Sequence, residues 1–310
     1  MKRAFLLLSL IATATFAVSQ SPAAGQTQPS KPSQAGSTVQ SGAAAQGTQA
    51  TPGAQTTPAT QAEPAPHSKG APQARTQEEF KAYQDVIAKT DPQQMEAATD
   101  DFAQKFPNSE LRTVIYNQLL NVYRNGGATD KAIAVGRKSL AIDPTDPVPN
   151  VMVAMSIAQS TRDTDLDKDD RLNEAVKDAQ RAIDNIDTGM AIPPNTPPEK
   201  VAAAKASLLE MANETLGQVN LNRKDFAGAE AAFRKAIDAN KAEPDGVLYL
   251  RLAIALDNQK KYQEALQATD TAIKYSQPGS DAMNWANQEK SRLQKLAGTA
   301  PASSAAPTAQ

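Results

Sequence analysis

Four stretches of this chain repeat one arrangement of small side chains, and that repeat limits the fold more than any other feature. They are Ala132-Ile133…Gly136…Ser139-Leu140, Ala175-Val176…Ala179…Ala182-Ile183, Ala229…Phe233…Ala236-Ile237 and Ala265-Leu266…Thr269…Ala272-Ile273. A looser copy places Ala98 and Phe102 ahead of Phe106-Pro107. The first alanines, at 98, 132, 175, 229 and 265, lie 34, 43, 54 and 36 residues apart. The first gap is one repeat, and the others are that repeat lengthened. The polar stretch 161–170, the Pro-rich stretch 192–198 and the turn 241–246 stand between helical patterns, where extra residues do least harm. A unit this short cannot bury its apolar face alone, so it must stack on its neighbours.

Each small-residue stretch is the second helix of a pair. The first helices are marked by Val114, Ile115, Leu119 and Tyr123, then Val151, Val153 and Ile157, then Leu208, Leu209, Leu216 and Val219, then Leu248, Leu252 and Leu256. Their spacing is mostly three or four residues, one face of a helix. An aromatic residue stands three positions before the first alanine in two copies, as Phe226 and Tyr262.

Through Leu216-Gly217…Phe226…Ala229…Phe233…Ala236, Leu252-Ala253…Tyr262…Ala265…Ala272-Ile273 and Tyr116…Leu119…Tyr123…Ala132…Pro144, the chain resembles tetratricopeptide-repeat (TPR) proteins over most of residues 76–297. It departs from their pattern where Gly136, Ala179 and Thr269 replace the mid-helix aromatic kept as Phe233. The resemblance implies an all-α, right-handed α-solenoid of about five TPR-like hairpins. A capping helix over residues 280–296 is expected to end it, with Trp285 in its core. It also implies a protein or peptide partner in a groove lined by first helices. By register those positions hold Asn117 and Asn121, Val151 and Met155, Glu214 and Gln218, and Leu250 and Ile254. The lysine of a carboxylate clamp is missing, so a partly apolar groove for an extended segment or helix is expected, with Asn117 and Asn121 on an exposed face. Met152 and Met155 also read as core filling.

Chemistry is limited by what the chain lacks. It has no Cys and a single His, His67, outside the helical part. That leaves no thiolate, no imidazole base and no Cys or His metal site in the domain, and no cofactor is expected. Lys2, Arg3, Lys31, Lys69, Arg75 and Glu63 are the only charged residues outside 76–298, so the domain nets about −6 from 34 acidic and 32 basic groups. Nucleic acid is therefore not an expected partner.

Met1-Lys2-Arg3 followed by the uncharged run from Ala4 to Val18 reads as a signal peptide over residues 1–19, with cleavage after Ser19 or Ala17. No cysteine follows it to carry a lipid, so the expected location is periplasmic or secreted, and membrane attachment requires an uncleaved signal. Residues 20–75, whose sole large aliphatic residue is Val39, read as a disordered linker, and residues 299–310 as a disordered tail. The expected role is a non-enzymatic exported scaffold for protein–protein interaction in the bacterial cell envelope. The alternatives are a carboxylate-dependent cell-wall or carbohydrate-active enzyme and a passive spacer.

Asp163, Asp165, Asp167 and Glu174 match positions 1, 3, 5 and 12 of a calcium loop, but Lys168 stands where the turn needs Gly. The alternative is an insertion whose carboxylates favour the N-terminus of a helix starting near Leu172. Thr76-x-x-Glu79 and Thr196-x-x-Glu199 read as capping boxes opening helices.

Overall fold

A computed structural model describes residues 69–299 of the 310. The expected signal segment, the linker up to residue 68 and the tail from 300 lie outside the described residues.

Short aspartate caps open many of the helices. In the first pair, α1 (Gln77–Ile87) is capped by Thr76, which accepts from the Glu79 amide at 3.1 Å, while the Glu79 carboxylate accepts from the Arg75 amide at 2.7 Å. Asp91 caps α2 (Pro92–Lys105). Next come α3 (Leu111–Asn125) with α4 (Thr129–Ile142), and α5 (Pro147–Ser160), capped by Asp146, with α6 (Lys168–Asp184). Then follow α7 (Pro198–Asn222) with α8 (Phe226–Ala239), and α9 (Gly246–Asn258) with α10 (Tyr262–Tyr275). Asp225 and Asp245 cap α8 and α9. A final helix, α11 (Asp281–Thr299), packs on α9 and α10. Each capping side chain satisfies a backbone N–H that the helix leaves over, at about 1 kcal/mol apiece. The capping box expected at Thr196 does not form: its hydroxyl donates to the Pro193 carbonyl, and α7 begins after Pro197 without a side-chain cap.

Three turns inside the pairs are built alike. Gly127, Lys224 and Lys260 each stand five residues before a first alanine and adopt φ of 73°, 62° and 63°. The next amide then donates back across the turn, Ala128 to Tyr123, Asp225 to Asn220 and Lys261 to Leu256, at 2.9, 2.9 and 3.0 Å. A left-handed residue ending a helix this way is favourable for Gly and costly for Lys.

The register is confirmed by burial. Ala175, Ala229 and Ala265 have no exposed surface and Ala132 almost none, so helix axes meet closely there. The looser first copy does not follow it: Ala98 is half-buried, and Met95, Thr99 and Phe102 face the core. Apolar side chains form one large cluster from α1 to α7, including Leu111, Ile115, Leu120, Met152 and Leu208. A second cluster, around Phe233, Leu248, Leu252, Leu256 and Leu293, joins α8 to α11. Each fully buried Leu or Phe contributes about 1.5–3 kcal/mol.

Two features depart from the expected boundaries. The domain reaches upstream of 76: β1 (Lys69–Gly70) pairs in parallel with β2 (Ala191–Ile192), a two-residue ladder inside the long insertion between α6 and α7. Trp285 is 62% exposed instead of buried. The packed face of α11 is set by Ala286 and Leu293, one helical stripe, and Trp285 lies about 100° away from Ala286 around the helix.

Candidate functional site

The groove positions expected from the register meet different fates, because non-repeat elements cover the two ends of the stack. Asn117 and Asn121 are buried, not exposed. Asn117 accepts from the Ser139 hydroxyl at 2.7 Å and donates to the Asp146 carboxylate at 3.0 Å. Asn121 donates to the Asn117 carbonyl. Val151 is in the core, and Leu250 is covered by Ala286 of the capping helix and Ala272. Neither is free to line a groove.

The middle of the face stays open. Met155, Glu214 and Gln218 come together on a shallow depression between α5 and α7, beside Gln159 and Arg251. Arg251 donates to Glu214 at 2.7 Å, tying α9 to α7. Gln218 donates to Asn222, whose amide reaches the Ala158 carbonyl at 2.8 Å. Ile254, one turn beyond Arg251, is 38% exposed. Arg124 lies half-buried against the Met155 sulfur at 3.2 Å and pairs with no carboxylate among the described residues. Burial alone pulls its guanidinium below the usual range. Sequence reasoning missed Arg124 and Arg251. The signal for Arg251 was its i, i+3 relation to Ile254, which shares its face.

The calcium lookalike is not assembled. Glu174 is held by Arg137 through two hydrogen bonds of 2.8 and 2.7 Å, Asp163 by Lys168, and Asp165 accepts from the Arg162 amide. Among the described residues no group of three or more His, Cys, Asp or Glu side chains is placed to hold a metal. The helix after this insertion starts at Lys168, earlier than Leu172, with Asp169 and Asp170 in its first turn.

A larger cavity, about 420 Å³, lies at the other end of the first-helix face. It is bounded by α3, by the turn from α4 into α5, by β1 and by the Met190–Ala191 stretch of the insertion. Asp146 stands in its wall, capping α5 by accepting from the Val148 amide at 2.9 Å. Burial pushes its carboxyl up to about 6, against the pull of Val148 and Asn117. Burial works the same way on Asp143, but Lys69 and Thr145 hold that carboxyl below its ordinary value.

A small and a large residue interlock across the α7/α8 hairpin. Gly217 on α7 faces the ring of Phe233 on α8 so closely that a methyl there would lie 2.4 Å from Phe233 Cε1. With buried alanines at matching positions of successive pairs, this is the hairpin contact expected of the family. The helix pairs make an all-α solenoid of TPR-like hairpins. No protein-family model matches the sequence, and no curated protein is similar to it. Among solved structures it is similar to a MamA protein, at 18% identity and a TM-score of 0.47, over 64% of this chain and 93% of that one. It is also similar to TTC0263, a TPR protein of Thermus thermophilus, at 13% identity, a TM-score of 0.40, and 71% and 98% of the two chains. The type IV pilus biogenesis factor PilW gives 15%, 0.36, and 67% and 98%. At such identities and scores these likenesses carry no argument about this chain.

Proposed function

We propose that this chain is an exported, non-enzymatic scaffold that docks a protein partner in the bacterial cell envelope. Docking would use the open middle of the first-helix face. The observation that carries the reading is the juxtaposition there of exposed Ile254, the Arg251–Glu214 pair, Gln218, Met155 and Arg124, which meets no carboxylate among the described residues. Apolar and cationic groups in one shallow strip suit an amphipathic helix or extended segment with a carboxylate opposite Arg124. Export rests on the cationic and apolar first residues of the sequence. No described helix is long and apolar enough to cross a membrane.

A photo-cross-linking residue placed at Gln218 tests both parts in intact cells. Expected is one saturable adduct in the envelope fraction, reduced at least about ten-fold by Ile254→Asp and unchanged by Lys177→Glu on α6. A ten-fold loss corresponds to about 1.4 kcal/mol. Adducts that ignore Ile254→Asp would leave a passive spacer.

A carboxylate-dependent enzyme is the second reading, because Asp143 and Asp146 are pushed in opposite directions within one cavity. Each is already engaged, Asp146 as a helix cap and Asp143 by Lys69 and Thr145. Turnover of purified wall polymer that disappears on Asp146→Asn would establish catalysis over the scaffold.

A further inference from the structure

The cavity beside α3 is a different kind of site from the docking strip, and it does not depend on the partner reading. Its volume, about 420 Å³, falls in the range of small-molecule pockets. Val114, Ile142, Val148, Met190 and Ala204 give it a mostly apolar wall. Its charged groups are unbalanced: Glu110, Asp143 and Asp146 face it, against Lys69 alone. The Lys69 ammonium is committed to Asp143. Glu110 has no ion-pair partner among the described residues, and Asp146 is met only by the neutral donors Val148 N and Asn117 Nδ2. An ionised carboxylate offers about four acceptor directions, so Asp146 has room for a further donor. Asp146 is half-buried, and the charge of Asp143 weighs on it more than that of Lys69, so a further ammonium group would favour its ionised form.

We infer that this cavity binds a small organic cation, with its ammonium head against Asp146 and Glu110 and its hydrocarbon on Val114, Ile142, Val148 and Met190. The feature that makes the site is the insertion. Without residues 186–197 and the β1 strand pairing with them, the face of α3 would be open like the middle of the stack. Ala204, on the part of α7 that extends beyond a normal first helix, supplies one wall and leaves the space a larger side chain would take.

The experiment is calorimetric titration of the full chain with n-hexylammonium chloride, 1-hexanol and hexanoate at pH 7.5. Hexylammonium should saturate with a Kd below about 1 mM. The alcohol and the carboxylate should bind at least about ten-fold more weakly. Asp146→Asn should cost hexylammonium about ten-fold or more. The asparagine Oδ1 still caps Val148, and a flip of Asn117 onto Ser139 satisfies the rest, so this variant should melt as the parent does. Should it fail to fold, two further arms keep the test decisive. Ala204→Phe fills the cavity with an apolar ring and should abolish binding. Lowering the pH to 5 should weaken binding about ten-fold, because about nine-tenths of a carboxyl titrating near 6 is then protonated. The other charged groups facing Asp146 are Asp143, Lys69 and Glu110, and Asp143, held low by Lys69, stays ionised across that range. N-acetyl-lysine methylamide separates the two sources of an ammonium group. If it binds at least as tightly as hexylammonium, the cation is a protein lysine; if more weakly, a free amine. No saturation up to about 10 mM hexylammonium, equal affinity for 1-hexanol, or unchanged affinity in both variants overturns the proposal.

Discussion

The second and fourth hairpins solve one packing problem in opposite ways. In α7/α8 the first helix supplies the gap at Gly217 and the second fills it with Phe233. In α3/α4 the first helix supplies Leu120 and the second the gap, Gly136. A methyl there would lie 2.6 Å from Leu120 Cδ1 and 2.2 Å from Val153 Cγ2 of the following hairpin. Leu120 and Gly217 both stand twelve residues before a first alanine, and Gly136 and Phe233 both stand four after one. What is kept is the shared volume across the pair, and which helix contributes it is free. The inversion has a side effect. A large residue on the second helix seals its own hairpin, while a gap there also takes in Val153 of the next one.

The sharpest way to break this comparison is Phe233→Ala, which should cost about 3–5 kcal/mol in urea unfolding, because Phe233 is fully buried with no exposed surface. Transplanting one solution onto the other comes next. Gly217→Leu alone should overpack against the ring, and Gly217→Leu with Phe233→Gly should regain at least about 2 kcal/mol of that loss. A double-mutant cycle with zero coupling would mean that the two positions do not share one space.

A pH contrast sharpens the comparison further. Asp178 on α6 is pushed up to about 6, by burial and then by the neighbouring Glu174, against Arg181. Its folded value lies above the ordinary 3.8, so the favourable contribution is complete below about pH 4 and is lost as pH rises through 6. Asp178→Asn should therefore raise stability at pH 7.5 by about 1–2 kcal/mol and do little at pH 4, measured as Tm. Glu230 on α8 behaves in the opposite sense: burial is outweighed by Lys261, Gln259 and Arg234, and its carboxyl falls below 4.5. Its contribution is present at neutral pH and is lost on acidification. Changing Glu230 to Gln should lower Tm at pH 7 and not below the folded value.

Smaller effects test the turns. Lys260→Gly should stabilise by up to about 1 kcal/mol, since a lysine pays for the left-handed φ that Gly127 adopts freely. Arg137→Ala, across from Glu174 on the surface, should cost under about 1 kcal/mol.

The repeat itself was legible because small residues must recur wherever helix axes touch, and burial of Ala132, Ala175, Ala229 and Ala265 follows from that. Looser periodicity hid the first copy, where Thr99 and not Ala98 faces the core. The site was harder to read. Asn117, Glu214 and Leu250 hold the same register position, yet only Glu214 remains on an open face. The strand β1, the insertion and α11 cover the other two; α11 is expected from the sequence as a capping helix, but β1 and its ladder with the insertion have no counterpart in the repeat that could announce them. Trp285 misled for a related reason: a lone large aromatic suggests a core, but Ala286 and Leu293 already complete the contact of α11.

The two-residue ladder between β1 and β2 also fixes where force enters the molecule. Tension on the residues before Lys69 is delivered through Lys69 and Gly70 to Ala191 and Ile192, midway along the stack, and through Lys69 to Asp143. A pull from a tether would first strain those few bonds beside the cavity and only afterwards the hairpins, so the ladder would act as a mechanical fuse next to the cavity that the insertion helps to wall.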